Sequence, residues 1–258
     1  MLVDSHCHLD YFTEAEVEEI VGRAREAGVG RMVTIGTRVG QAATVKALTE
    51  RFADVWGTVG VHPHNAGEPE GMPTIAELVA LADHPRIIGL GECGLDYFYD
   101  KAPREAQQEG FRRHIRASQA TGLPVCIHAR QADEDILAIL REETAAGGAF
   151  PFLLHCFSSG AELARGALAM GGYLSFSGIL TFPKSPEIRA IAAEAPADRI
   201  LVETDSPYLA PVPLRGKRCE PGYVAHTAKV LAATRGVTQA EIEATTTANF
   251  FRLFPKAA

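Results

Sequence analysis

The chain has 258 residues, 47% hydrophobic and 22% charged, with a formal net charge of −7 at pH 7; this is an ordinary soluble globular composition, long enough for one large α/β domain. A chain this acidic repels a polyanion as a whole, which excludes extended electrostatic wrapping of duplex DNA and leaves capture of an end by a few basic groups and metal ions. The five cysteines (Cys7, Cys93, Cys126, Cys156 and Cys219) form no CxxC pair, and neither a leader nor an apolar run of the ~18 residues a membrane helix needs is visible, so a reduced, cytoplasmic protein without a membrane partner is expected.

The first predicted strand, 2–6, lies within "VDSHCHLD". A strand sends alternate side chains to one face, so His6 and His8 point the same way, and two converging imidazoles suggest a metal. Thr13 with Glu16 forms a capping-box pattern at the head of a helix over 13–27. Strands follow at 31–36, 55–61, 86–91, 124–128, 152–156, 172–176 and 200–203. Between them the pattern predicts helices at 39–52, 74–82, 103–121, 131–145, 159–169, 185–194 and 221–235. Thr238 and Glu241 open a further helix over 238–252. Eight strands, each followed by a helix, predict a (β/α)8 TIM-type barrel filling residues 1–258 as a single domain, with an open doubly wound sheet as the competing architecture. The connections 62–73 and 204–220 are long and rich in Pro and Gly, as active-site loops often are.

The polar residues fall in a pattern. His6 and His8 end the first predicted strand, His62 and His64 follow the third, Glu92 follows the fourth, His128 ends the fifth, His155 ends the sixth and Asp205 follows the eighth. In a barrel these carboxyl ends share one face, where imidazoles and carboxylates suit zinc, manganese or a similar divalent ion. The stretch "GLGECG" formally matches a dinucleotide fingerprint, but "LDYFYDKAP" follows it in place of a helix, so that reading is rejected. His84, His114 and His226 fall on helical stretches and are read as structural. Cys7 and Cys156 are expected to pack behind the site.

The segments "DSHCHLD", "GVHPH", "GLGECGLDYFYD", "PVCIHAR", "LLHCFSSG", "YLSFSGILTF" and "ILVETDSPYLAPVPLRGKRCEPGYV" together resemble the TatD-type metal-dependent deoxyribonucleases, within the amidohydrolase-like metal hydrolases. The resemblance runs from residue 3 to about 254. It implies a barrel holding up to two divalent cations (Mg2+, Mn2+ or Zn2+), one held by His6, His8, Glu92 and Asp205 and the other by Glu92, His128 and His155, with Glu92 as the bridge. It also implies that His62 contacts substrate. Cys219 stands where the family usually has Asn, and Gly222 is smaller than the residue often found there.

The expected reaction is hydrolysis of DNA phosphodiester bonds by metal-activated water, as a 3′–5′ exonuclease on single-stranded ends or oligonucleotides. Asp205 would orient the water and accept its proton, and Glu92 would fix the metal separation. Arg215 and Lys217 read equally as contacts to a flanking phosphate or as a solvated basic loop. The alternative is hydrolysis of a small ester, lactone or amide on the same barrel. The oligomeric state is left open; a monomer is compatible with the sequence.

Overall fold

In the computed structural model, which describes residues 1–68 and 71–258, the apolar runs are short parallel strands and the amphipathic stretches are helices. The strands are β1 (Leu2–Cys7), β2 (Val29–Ile35), β3 (Val55–Val59), β4 (Ile87–Asp96), β5 (Val125–Arg130), β6 (Phe152–Leu154), β7 (Tyr173–Phe176) and β8 (Ile200–Val202). They lie in sequential order in one sheet, each parallel to the next. The helices are α1 (Glu14–Glu26), α2 (Ala42–Arg51), α3 (Ile75–Ala82), α4 (Arg104–Thr121), α5 (Asp133–Gly147), α6 (Ala161–Ala169), α7 (Pro186–Glu194), α8 (Val224–Arg235) and α9 (Gln239–Leu253).

Sequential order excludes the doubly wound alternative, whose strand order reverses at a switch point. The sheet's two edges meet where β1 ends and just past β8, at a bridge between Cys7 and Ser206. There the His8 N–H donates to the Ser206 carbonyl at 2.8 Å, and the Asp205 N–H to the His6 carbonyl at 2.9 Å. Asp4, fully buried, strengthens this seam by accepting from the Thr204 N–H at 2.8 Å and the Thr204 hydroxyl at 2.6 Å. Burial pushes its carboxyl well above the usual range. The nearly closed (β/α)8 barrel thus places the ends of β1 and β8, and the ligand candidates they carry, side by side.

The main apolar cluster lies between the strands and the ring of helices, as in other barrels of this class. A second cluster joins Val33, Ile35, Ile88, Leu153 and Leu201 of the strands to Phe250, Leu253 and Phe254 at the end of α9. The last helix therefore plugs the amino-terminal mouth. Asn249 fixes it there, donating to the carbonyls of Ala197 and Ile200 at 2.8 and 2.9 Å. Three helices, α1, α3 and α9, open with complete capping boxes at Thr13, Thr74 and Thr238, each contributing roughly 1 kcal/mol.

Several boundaries differ from the sequence reading. Strand β4 runs on to Asp96, so Glu92 and Asp96 both lie within the strand, where the sequence placed Glu92 just after it. The extension pairs with β5 from Cys93↔Ile127 to Asp96↔Arg130. Gly94 permits it: at φ 131°, a Cβ there would collide with the His128 carbonyl oxygen. Residues 39–41 and 221–223 form 3-10 turns ahead of α2 and α8, where α-helix was expected. Of the connection 62–73, Pro69 and Glu70 lie outside the described residues.

Candidate metal centre

Alternation along β1 brings the Nε2 atoms of His6 and His8 to 3.3 Å from each other. Cys7 between them turns to the opposite side, its thiol donating to the Val33 carbonyl. Asp205 enters through a left-handed backbone (φ 60°). Its Oδ1 lies 3.6 Å from His6 Nε2 and 3.4 Å from His8 Nε2. Glu92 Oε2 lies 3.4 and 3.7 Å from the same two nitrogens. A cation held tetrahedrally by bonds of ~2.1 Å separates its ligand atoms by ~3.4 Å, so His6, His8 and Asp205 have the spacing of a coordination shell, and Glu92 Oε2 stands at the same spacing from both imidazoles.

The other oxygen of Glu92 faces a different set. Oε1 lies 2.8 Å from His155 Nε2, 3.1 Å from His128 Nδ1 and 3.3 Å from His62 Nε2. His128 Nδ1 and His155 Nε2 are 3.3 Å apart. One buried carboxylate, 3% exposed, therefore stands between two groups of imidazoles, one oxygen to each.

Two further carboxylates set the imidazole tautomers. Asp96 Oδ2 lies 3.0 Å from His128 Nε2, and Glu203 Oε1 lies 3.2 Å from His155 Nδ1. A carboxylate on the far nitrogen fixes the proton there and turns the near nitrogen's lone pair inward. On both rings that lone pair then faces Glu92 Oε1, at 3.1 and 2.8 Å. Two acceptors so close repel unless a cation or a proton lies between them, so the donor set fits a divalent metal. His62 differs. Its Nδ1 accepts from the His64 N–H at 3.1 Å, which leaves the proton on Nε2. Its position beside Glu92 and His128 is close enough to share a cation, but in this tautomer it offers a donor instead of a lone pair.

The electrostatics follow from this packing. Burial raises the Glu92 carboxyl, but the imidazoles of His155, His62 and His128 outweigh it and hold the group well below the usual range. Burial likewise opposes ionisation of Asp205, which His8 and His6 more than offset. Burial lowers His62 to about 4, so it is a neutral N–H donor at physiological pH.

All six expected metal ligands, His6, His8, Glu92, His128, His155 and Asp205, thus converge, with His62 beside them. Arg215 and Lys217 do not join them by hydrogen bond or ion pair. Both are exposed on the 204–220 connection, and the Arg215 guanidinium lies over the Phe182 ring at 3.7 Å. The neighbouring Arg218 clasps that connection to the start of α1 through Glu16 and the Tyr11 carbonyl, each at 2.7 Å. Cys219 is fully buried, and Gly222 packs its turn against α1 near Ala24 and Ala27. Asp205 caps no helix; an irregular connection follows it. Sequence reasoning missed Asp96 and Glu203. The available signal was parity, since Asp96 lies four residues after Glu92 and Glu203 two before Asp205.

The family described as TatD related DNase matches residues 3–255. The chain is 39% identical to the metal-dependent hydrolase YabD of Bacillus subtilis (strain 168), covering 98% of this chain and 99% of that one. It is 37% identical to the 3′-5′ ssDNA/RNA exonuclease TatD of Cronobacter sakazakii, over 93% of this chain and 92% of that one. Among solved structures it superposes on YjjV, a TatD homologue of Escherichia coli K12, with a TM-score of 0.89, 27% identity and 98% of each chain covered. With that match spanning nearly the whole length, the chain belongs to the TatD-related DNase family of metal-dependent hydrolases.

Proposed function

We propose that this protein hydrolyses phosphodiester bonds at single-stranded nucleic-acid ends, as a 3′–5′ exonuclease using two divalent cations, with Mg2+, Mn2+ and Zn2+ as candidates. The observation that carries this reading is the division of Glu92 between two sets of inward-facing imidazole and carboxylate groups. His6, His8 and Asp205 would hold one cation with Glu92; His128 and His155 would hold the other. Bound divalent cations supply Lewis-acid charge to the phosphate and lower the pKa of water toward neutrality.

The chain's own groups complete the chemistry. Asp205 commits Oδ1 to the imidazoles of His6 and His8, while Oδ2 makes no hydrogen bond among the described residues and the side chain stays 15% exposed. That free oxygen orients the attacking water and accepts its proton. The His62 Nε2–H, beside Glu92 Oε1 at 3.3 Å, would donate to a phosphate oxygen whose charge grows during attack. Arg215 and Lys217, both exposed, would supply positive charge to the flanking strand. The net charge of −7 favours ends and short oligonucleotides over long duplex. The exonuclease name of the Cronobacter sakazakii relative supports the same substrate class. The five free cysteines of this chain, four of them buried, suit the cytoplasm.

The test is digestion of end-labelled single-stranded DNA, with lactones and bis-p-nitrophenyl phosphate in parallel. Exhaustive chelation should abolish turnover, and Mn2+ or Mg2+ should restore it. Turnover that survives chelation overturns the metal-dependent reading. Lactone hydrolysis without DNA degradation assigns the centre to small esters instead.

A further inference from the structure

At the end of β5 the rim carries a cation with no ion-pair partner among the described residues. Arg130 lies two residues after His128 on the same strand, so its side chain leaves on the same side, one step above the metal centre. It is exposed, and among the described residues it makes no ion pair. Its guanidinium lies instead over the rings of Phe98 and Tyr99, 4.3 and 4.9 Å from their centroids. Arg104 nearby lies over Tyr97 at 4.1 Å but also pairs with Asp100 at 3.7 Å. Aromatic faces hold a guanidinium without using its N–H groups, so Arg130 presents a pre-oriented fork of donors, the geometry that suits a phosphate.

This platform is indexed to the centre. Asp96 Oδ1 accepts from the backbone N–H groups of Phe98 and Tyr99 at 3.1 and 2.9 Å, while Oδ2 of the same carboxylate holds His128. Phe98 and Tyr99 are about half exposed, unusual for large aromatic side chains. Beside them opens a groove of about 860 Å³ at the carboxyl ends of β5, β6 and β7, bounded by Phe98, Arg130, Gln131, Ser158, Ser159 and Ile179. Of its acidic groups, Asp135 is engaged by the Tyr97 hydroxyl at 2.6 Å, and Asp133 by the Gly160 N–H at 2.9 Å. Glu134 and Glu187 remain on its walls and disfavour a long polyanion along its whole length.

We propose that this groove is a nucleotide subsite next to the scissile bond: Arg130 takes the neighbouring phosphate, and the exposed face of Phe98 stacks the base. Stacking of this kind is tolerant of sequence because every base offers a π face. The inference rests on the nuclease reading and narrows it to a substrate of at least one nucleotide beyond the cleaved phosphodiester.

The test compares kcat and KM, in Mn2+, for a short single-stranded DNA oligonucleotide and for bis-p-nitrophenyl phosphate, in the full-length enzyme and its Arg130→Gln and Phe98→Ala variants. The ratio of the two kcat/KM values should fall about tenfold in each variant, chiefly through KM on the oligonucleotide. Arg130→Lys should recover part of the loss. An equal fall on both substrates, or an unaltered ratio, overturns the subsite while DNA cleavage by the wild type leaves the nuclease reading standing. A wild type that cleaves no DNA removes both.

Discussion

Oδ2 of Asp96 lies 3.0 Å from His128 Nε2 and 2.8 Å from His64 Nε2, so one fully buried carboxylate on β4 grips an imidazole of β5 and another from the connection that follows β3. Burial opposes its charge, but His128 and His64 outweigh this and hold the carboxyl far below the usual range. The position on β4, four residues past Glu92, lets it brace the metal centre from outside. Asp96→Asn keeps the shape and removes the charge that fixes the His128 tautomer. It should weaken metal binding or lower kcat by roughly 10–100-fold, read by metal titration alongside turnover. Wild-type affinity and rate in that variant would show that His128 is oriented by its packing alone.

Glu203 plays the corresponding part for His155. Its Oε1 accepts from the Cys156 N–H at 2.7 Å and lies 3.2 Å from His155 Nδ1, while Oε2 has no partner among the described residues. Glu203→Ala leaves both donors without an acceptor in a buried setting, and should cost about 1–3 kcal/mol of stability as well as metal affinity. Glu203→Gln keeps an acceptor oxygen and should retain more of the stability. Thermal unfolding of the two apo variants checks this; identical melting temperatures would mean that water replaces the carboxylate.

These two residues mark where the sequence stopped being legible. The barrel could be read because its signals are local: apolar runs of strand length, Thr–Glu capping pairs, and helix-period stretches between them. The six ligand candidates could be read because each follows or closes an apolar run of strand length, and the fold turns distance along the chain into proximity; Glu92 proved to lie inside its strand. Asp96 was hidden by the length of β4, since "LDYFYD" carries turn-like polarity and only the close approach of Gly94 to β5 prolongs the strand. Glu203 was hidden because nothing in the run "ILVE" marks its acid as the partner of His155, which lies 48 residues away. Arg130 had no local signal, since its role depends on rings from another strand's connection.

In the proposed centre Glu92 is the group that both cations would share, one oxygen facing His6 and His8 and the other His128 and His155. Glu92→Ala should remove at least one bound metal and nearly all activity while circular dichroism shows the barrel intact, since the imidazoles around it are held by Asp96 and Glu203 from outside. Wild-type metal stoichiometry in that variant would contradict its bridging position.

His62 separates donor from ligand. With Nδ1 taken by the His64 N–H, its Nε2–H is a hydrogen-bond donor. His62→Ala should therefore lower kcat by roughly 10²–10³-fold, the usual cost of losing one donor to a developing oxyanion, and leave metal stoichiometry unaltered. Loss of a metal ion in this variant would instead place His62 in the coordination shell.

His114 tests the electrostatics of the scaffold away from the centre. It is fully buried, its Nε2 accepts from the Val61 N–H at 3.1 Å, and its Nδ1 lies 2.7 Å from the Gly110 carbonyl. Only the neutral ring satisfies both contacts, and burial lowers its pKa from 6.5 to about 4. Above pH 6.5 neither the folded nor the unfolded chain protonates this ring, so its contribution to stability is complete. Between pH 6.5 and about 4 the unfolded chain takes up a proton that the folded chain refuses, and stability falls as the pH drops, by on the order of 3 kcal/mol in total. His114→Gln has no such proton to take. In denaturant unfolding of the apo proteins, the stability advantage of the wild type over this variant should shrink steadily from pH 7 to pH 5; an advantage independent of pH would mean that the folded ring titrates at its ordinary value.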